Sequence, residues 1–145
     1  MPHARFEDVE LAYEVAGAAG SPVLLIMGFS VPGRAWSGQV PALAERHRVA
    51  WFDNRGVGNT QARPGWYSMR LLADDARRLL DHLDWPTAHI VGVSMGGMIA
   101  QELAVTVPDR VRSLTLIATH AGGVRARTPT WRGLMRFAGV TLGRR

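Results

Sequence analysis

At 145 residues, with 47% hydrophobic and 20% charged side chains, the chain has the size and balance of one soluble globular domain built on one core, which excludes a disordered tail as its main feature. No apolar stretch approaches the ~18 residues that a membrane span needs, and Met1-Pro-His-Ala-Arg-Phe-Glu-Asp8 lacks the basic-then-apolar layout of a signal peptide, so a cytoplasmic protein is expected. Zero cysteines exclude disulfides, a thiolate metal site and a cysteine nucleophile, and the net charge of +5 is unevenly placed, since all 12 acids lie at or before Asp109 and the segment after it carries only arginines. That basic end reads as a segment whose counter-charges lie elsewhere, so neither a nucleic acid nor a membrane partner is expected.

Arg5 to Val15 alternates apolar and polar residues at Val9, Leu11, Tyr13 and Val15, the period of a half-buried strand or hairpin. Gly17-Ala-Ala-Gly-Ser-Pro22 breaks it. Pro22-Val-Leu-Leu-Ile-Met27 is a short continuous apolar run, as in a strand covered on both faces, and Gly28-Phe-Ser-Val-Pro-Gly33 follows as a loop. Trp36, Val40, Leu43 and Ala44 recur at helical spacing, predicting a helix from about Gly38 to Arg46 with Pro41 in its first turn. Arg48 to Asp53 is the next buried strand. Asn54 to Gly65 is too polar and glycine-rich for an element and reads as a shaped loop at a strand's end. Ser68 caps a helix whose stripe is Met69, Leu72, Ala76, Leu79, Leu80 and Leu83, opposite a charged face.

Ala88-His-Ile-Val-Gly-Val93 is β-branched and apolar, and Met98 to Val105 has helical spacing with Ile99 and Leu103 on one face. Ser94 sits at the join, with Gly92 and Gly96 two residues either side and an extra glycine at Gly97. A strand that becomes a helix within one residue forces that residue into unfavourable φ/ψ, and side chains flanking it would collide with backbone. Glycine removes the collision. The hydroxyl is then held out beside the first amides of the next helix, where developing negative charge is stabilised. This is a nucleophile elbow, with Ser94 as candidate nucleophile. The helix stops before Pro108, Val111 to Ala118 is another strand, and Thr119-His-Ala-Gly-Gly123 ends it. Strands alternating with helices imply a mostly parallel sheet with helices on both faces. From Val124 the pattern changes, with a short helical stretch at Trp131, Leu134, Met135 and Ala138 before Leu142-Gly-Arg-Arg145.

Leu24-Leu-Ile-Met-Gly-Phe29, Trp51-Phe-Asp-Asn-Arg-Gly-Val-Gly58, Gly92-Val-Ser-Met-Gly-Gly97 and Pro108-Asp-Arg-Val-Arg-Ser-Leu114 stand in the order found in α/β-hydrolases. The chain resembles the N-terminal half of single-domain esterase, perhydrolase and C–C hydrolase-like members of that superfamily. The resemblance implies an α/β-hydrolase core over residues 1–123, incomplete on its C-terminal side, and the start of a basic cap segment over 124–145. It further implies Ser94 as nucleophile, the backbone N–H groups of Phe29 and Met95 as oxyanion hole, a small-molecule substrate, and neither cofactor nor metal. Met27-Gly28 replaces the His-Gly of many relatives, which backbone donors tolerate, and Asn59-Thr60 replaces the usual x-Ser of the loop. Asp53 and Arg55 read as loop-fixing, an ion pair between them pinning the backbone.

The superfamily's triad runs Ser, acid, His in chain order, and a serine without a base is a poor nucleophile. After Asp109 there is no Asp or Glu, and His120 is the one histidine beyond the elbow. His120 reads as a residue lining the cleft or bonding its own loop, since its short distance from the elbow does not match the family's late histidine. His3, His47, His82 and His89 read as surface or satisfied core residues. The expectation is therefore a serine hydrolase by descent, cut short and catalytically impaired, acting on an ester or related carbonyl substrate. The competing class is a non-catalytic half-domain that binds a partner or small ligand. A dinucleotide site is excluded, because Gly-x-Ser-x-Gly-Gly is not Gly-x-Gly-x-x-Gly and no acid ends a strand ~20 residues on. An uncovered edge at Val111 to Ala118 implies aggregation or self-association.

Overall fold

In the computed structural model, which describes residues 1–122, the alternating N-terminal segment folds as a hairpin of β1 (His3–Arg5) and β2 (Val9–Ala16), with Ala4 opposite Leu11. The remaining strands are β3 (Ser21–Ile26), β4 (His47–Phe52), β5 (Gln61–Ala62), β6 (Ala88–Val93) and β7 (Val111–Ile117). They order as β1-β2-β4-β3-β6-β7, with β5 beside β2. The pairs β3/β4, β3/β6 and β6/β7 are parallel, and β2 meets β4, β1 and β5 antiparallel. The sheet is therefore mostly parallel. The two-residue strand β5 lies inside the expected loop, too short to leave a periodic signal.

Because successive strand side chains point to opposite faces, the apolar runs of β3 and β4 feed two cores. Leu24, Ile26, Ala50, Phe52 and Ile90 pack with Leu72, Ala76, Leu79, Ile99 and Leu103 of two helices, α2 (Met69–His82) and α3 (Met95–Thr106). Val23, Leu25, Val49 and Trp51 pack on the other face with Trp36 and Val40. Helices thus lie on both faces of the sheet, as the alternating elements imply. On the second face the helix expected from about Gly38 to Arg46 is the shorter α1 (Val40–Ala44), with Pro41 in its first turn as expected, and a 3-10 helix over Gly33–Gly38 precedes it. Proline is tolerated there because its missing N–H would have had no helical partner. Val15, expected on the inward face, is 44% exposed near the end of β2.

The Ser68 side chain accepts from the Leu71 amide at 3.1 Å and caps α2 as expected. Its outer face carries Arg77 between Asp74 and Asp81 and Arg78 on Asp74, pairs at helical spacing. β7 pairs with β6 alone among the described residues, and Leu114, Leu116 and Ile117 along it are 37%, 43% and 41% exposed. The division at residue 123 and the cap expected over 124–145 fall outside the described residues. No described helix is long and apolar enough to cross a membrane.

Candidate active site

The elbow is built by the register of the parallel strands. Ile26 of β3 stands beside Gly92 of β6, so the loop after β3 and the turn after β6 leave the sheet at the same end. β6 ends at Val93 and α3 begins at Met95, which leaves Ser94 alone to make the turn, at φ 53° and ψ −120°. This is a costly backbone conformation for a residue with a Cβ, and it persists only where the surroundings over-determine it. They do so here. The Ser94 amide donates to the Ile117 carbonyl at 2.9 Å, and its carbonyl accepts from the amides of Gly97 at 3.0 Å and Met98 at 3.3 Å and from Thr119 Oγ1 at 2.6 Å. A side chain on Gly92 would run into the Gly96 backbone, and one on Gly96 into the Ile26 and Met27 carbonyls.

Ser94 is exposed, and its side chain does not cap α3. A helix N-cap serine ordinarily bonds the amide two or three residues on. The turned backbone takes Ser94 out of that role and leaves the hydroxyl available. Gly28 stands against it: a Cβ there would lie 3.3 Å from the Ser94 Cβ and 3.8 Å from Oγ. Phe29 is the next residue, so the loop that carries its amide passes directly beside the serine, and Met95 supplies the first amide of α3.

The loop after β4 holds that neighbour in place. Asp53, 1% exposed, accepts from the Gly33 amide at 2.7 Å and from the Asn59 amide at 2.8 Å, fastening both loops at this end of the sheet to one carboxylate. Asn54 donates from Nδ2 to the Met27 carbonyl at 3.0 Å, one residue before Gly28. Thr60 closes the turn, donating to the Asp53 carbonyl at 2.6 Å and accepting from the Ala12 amide at 2.9 Å.

Asp53 and Arg55 do fix the loop, but not through the expected pair. Asp53 is spent on backbone amides. Arg55 instead turns toward α2, making two hydrogen bonds to Asp75, at 2.5 and 2.8 Å, and two to Asp8, at 2.7 Å to its carboxylate and 3.4 Å to its carbonyl. Asp75 and Arg55 are 1% and 4% exposed, so this is a buried fork-to-fork pair. Burial pushes the Asp75 carboxyl upward and the Arg55 hydrogen bonds oppose it. The Asp75 position was invisible in the sequence, where an aspartate in a charged helix reads as solvated.

Asp8 is held below its ordinary value, chiefly by the hydrogen bond from Arg55 and also by Arg78. A carboxylate lowered on folding adds stability above its unfolded value, and that contribution is lost as pH falls through the folded one. Asp8→Asn should therefore lower stability at neutral pH and lose its effect in acid. Urea midpoints of both proteins, measured from pH 7 down through the carboxylate range, should converge as pH falls. A gap that widens in acid would contradict the assignment.

A cavity of about 440 Å³ opens beside the elbow, lined by Phe29, Val57, Trp66, Tyr67, Met69 and Met95 among others. Its wall is mostly apolar, and of its polar residues Ser30, Tyr67 and Arg55, the last is already occupied by Asp75 and Asp8. His120 stands at the carboxyl end of β7 as expected, but it is exposed and its Nδ1 accepts from the Gly122 amide at 2.9 Å. Among the described residues it makes no hydrogen bond to Ser94. The earlier histidines are engaged elsewhere: His47 with Ser21, His89 with Ser113, His82 with Tyr13, and His3 with Glu10. Among the described residues no group of three or more potential metal ligands occurs. The residues that sequence reasoning passes over are Asn54, Asp75 and Thr119, whose roles arise from tertiary contact.

Comparison with known proteins agrees with this fold. The family model for the alpha/beta hydrolase fold matches residues 21–142, and the chain belongs to that family. A provisionally assigned carbamate hydrolase, RutD, of Azorhizobium caulinodans is 41% identical over 117 residues, which are 81% of this chain and 44% of that protein. A provisionally assigned non-haem bromoperoxidase, BpoC, of Mycobacterium tuberculosis is 46% identical over 121 residues, 82% of this chain and 45% of that protein. Among solved structures, a thermophilic esterase from Thermogutta terrifontis superposes with a TM-score of 0.81 at 32% identity, covering 99% of this chain and 54% of that one. The chain thus spans about half the length of the relatives it matches.

Proposed function

We propose that the chain carries the nucleophile and oxyanion side of a cytoplasmic serine hydrolase acting on an ester or related carbonyl substrate. Ser94 Oγ attacks the carbonyl carbon as its proton passes to solvent, the amides of Phe29 and Met95 receive the charge that the carbonyl π pair places on oxygen, and collapse expels the alcohol, leaving an acyl ester on Ser94 that water hydrolyses. The observation that carries this reading is the strained Ser94 backbone at the β6–α3 junction with the Gly28 backbone packed against its side chain. The names of the relatives, a carbamate hydrolase and an esterase among them, support carbonyl hydrolysis over a purely binding role.

The base is the weak point of this chain. His120 is committed to its own loop and no acid follows Asp109. The 145 residues alone should hydrolyse a p-nitrophenyl ester slowly, with the modest rate that an oxyanion hole and binding leave when triad members are missing. Release of p-nitrophenolate that exceeds buffer and vanishes on unfolding is the expected result. Release equal to buffer would contradict the hydrolase reading, and rapid turnover would make His120 the base.

The outer edge of β7, which pairs with β6 alone among the described residues, supports self-association as a further property, because such an edge can template another strand. Light scattering should give a mass above that of one chain, and a monomer at all concentrations would contradict it.

A further inference from the structure

We propose that Thr119 is a positioning residue that aims the Met95 amide, and that Gly97 is a glycine in order to admit it. The inference rests on the reading of Ser94 and Met95 given above. Thr119 lies two residues beyond β7, after Ala118, whose φ of +47° turns the chain back toward the elbow. Its Oγ1 donates to the Ser94 carbonyl at 2.6 Å, the shortest of the bonds that this carbonyl receives.

The Ser94 carbonyl and the Met95 N–H belong to one planar trans peptide unit and point in opposite directions. Whatever fixes the direction of the carbonyl fixes the direction of the amide. The amides of Gly97 and Met98 reach that carbonyl from within α3, so they rotate with the helix end. The Thr119 hydroxyl reaches it from a different element and ties the peptide plane to β7. The same strand already holds the other side of Ser94, through the Ile117 carbonyl. The serine is thus gripped at both its amide and its carbonyl by the exit of β7.

Gly97 has no other explanation in the elbow, since Gly92 and Gly96 already relieve the turn. A Cβ on Gly97 would lie 2.6 Å from the Thr119 Cβ and 2.7 Å from its Oγ1. Side-chain space at position 97 is what the threonine occupies. Gln101 adds a second tie between the same two elements, its Nε2 donating to the Gly97 carbonyl at 3.0 Å and the His120 carbonyl at 3.1 Å.

The test compares Thr119→Val, which keeps the shape and removes the donor, with Thr119→Ser, which keeps the donor. Each is followed by the rate of Ser94 labelling with a fluorophosphonate, by the Ser94 carbonyl carbon and Met95 amide resonances, and by Tm. The expected result is that the valine variant shifts both resonances and slows labelling roughly tenfold, as loss of one hydrogen bond on an oriented donor implies, while the serine variant restores both. A merely structural role would move Tm alone. Unchanged resonances in the valine variant overturn the clamp, and shifted resonances with unchanged labelling overturn the aiming role. If the wild-type chain takes no label at Ser94, the nucleophile reading falls and the two resonances alone decide whether Thr119 orients the peptide. Should Thr119→Val not fold, Thr119→Ala carries the same comparison.

Discussion

Ser94→Ala is expected to eliminate covalent labelling of the chain by a fluorophosphonate while lowering its slow ester turnover much less. The two readouts separate for a physical reason. Phosphonylation needs an oxygen nucleophile at the elbow, and alanine has none. Turnover depends on nucleophile and base acting as a unit, and the effects of removing members of such a unit do not add. A serine that lacks its base has already lost most of what its own removal would cost in an intact site, where the penalty is on the order of 10⁶. The Phe29 and Met95 amides remain in the variant and continue to stabilise charge on a bound carbonyl. Intact-mass spectrometry of the labelled protein, alongside p-nitrophenolate release, checks both halves. A variant that labels as the wild type does would place the nucleophile elsewhere.

Arg55→Ala should be the most damaging single change outside the elbow, at about 3–5 kcal/mol of stability, because it leaves the Asp75 carboxylate, 1% exposed, without its hydrogen-bonded counter-charge. That is a large share of the roughly 5–15 kcal/mol that holds a domain of this size together. Replacing both partners by apolar side chains, as in Arg55→Met with Asp75→Leu, should recover most of the loss, since no charge is then left buried. The loss reaches the site as well as the core. Arg55 runs from the loop that carries Gly56 and Val57 to α2, and both lie along the cavity beside Met95. Urea denaturation should show a lowered midpoint in the single variant and a restored one in the double variant. Equal destabilisation of the two would mean that Arg55 acts through packing and not through charge.

The contrast between Ser94 and Arg55 explains how much could be read before the structure. The elbow is local. Strand, serine, glycines and helix are contiguous, and the steric demand of one sharp turn is written within six residues, so its position and the end of the sheet it occupies follow from the chain. Strands β3, β4 and β6 are legible for a similar reason, because a buried parallel strand needs a short apolar run, whereas β7 is an exposed strand whose apolar residues Leu114, Leu116 and Ile117 are interrupted by polar ones. What the sequence hides is every pairing between distant segments. Asp53 was placed correctly as a residue that fixes its loop, yet its partners are the backbone amides of Gly33 and Asn59, which carry no side-chain signature. Arg55 found Asp75, 20 residues on, in preference to the acid two residues before it. Thr119 gave no signal of its own. Its trace in the sequence was Gly97, a glycine one more than the turn requires. The helix expected over Gly38 to Arg46 is present but shorter, as α1, and Trp36, counted in its spacing, belongs to the 3-10 helix before it, because Pro41 permits an α-helix to start but not to pass through it.

The assignment of Ser94 is tested most directly by mapping the site of fluorophosphonate attachment. The chain is incubated with the reagent, digested, and its peptides are sequenced by mass spectrometry. One adduct, slow to form, is expected on the peptide that contains Ser94, and none on the chain unfolded in urea, where neither the φ of 53° nor the neighbouring amides are held. An adduct on another serine at equal rate, or labelling of Ser94 that proceeds equally in the unfolded chain, would contradict that assignment.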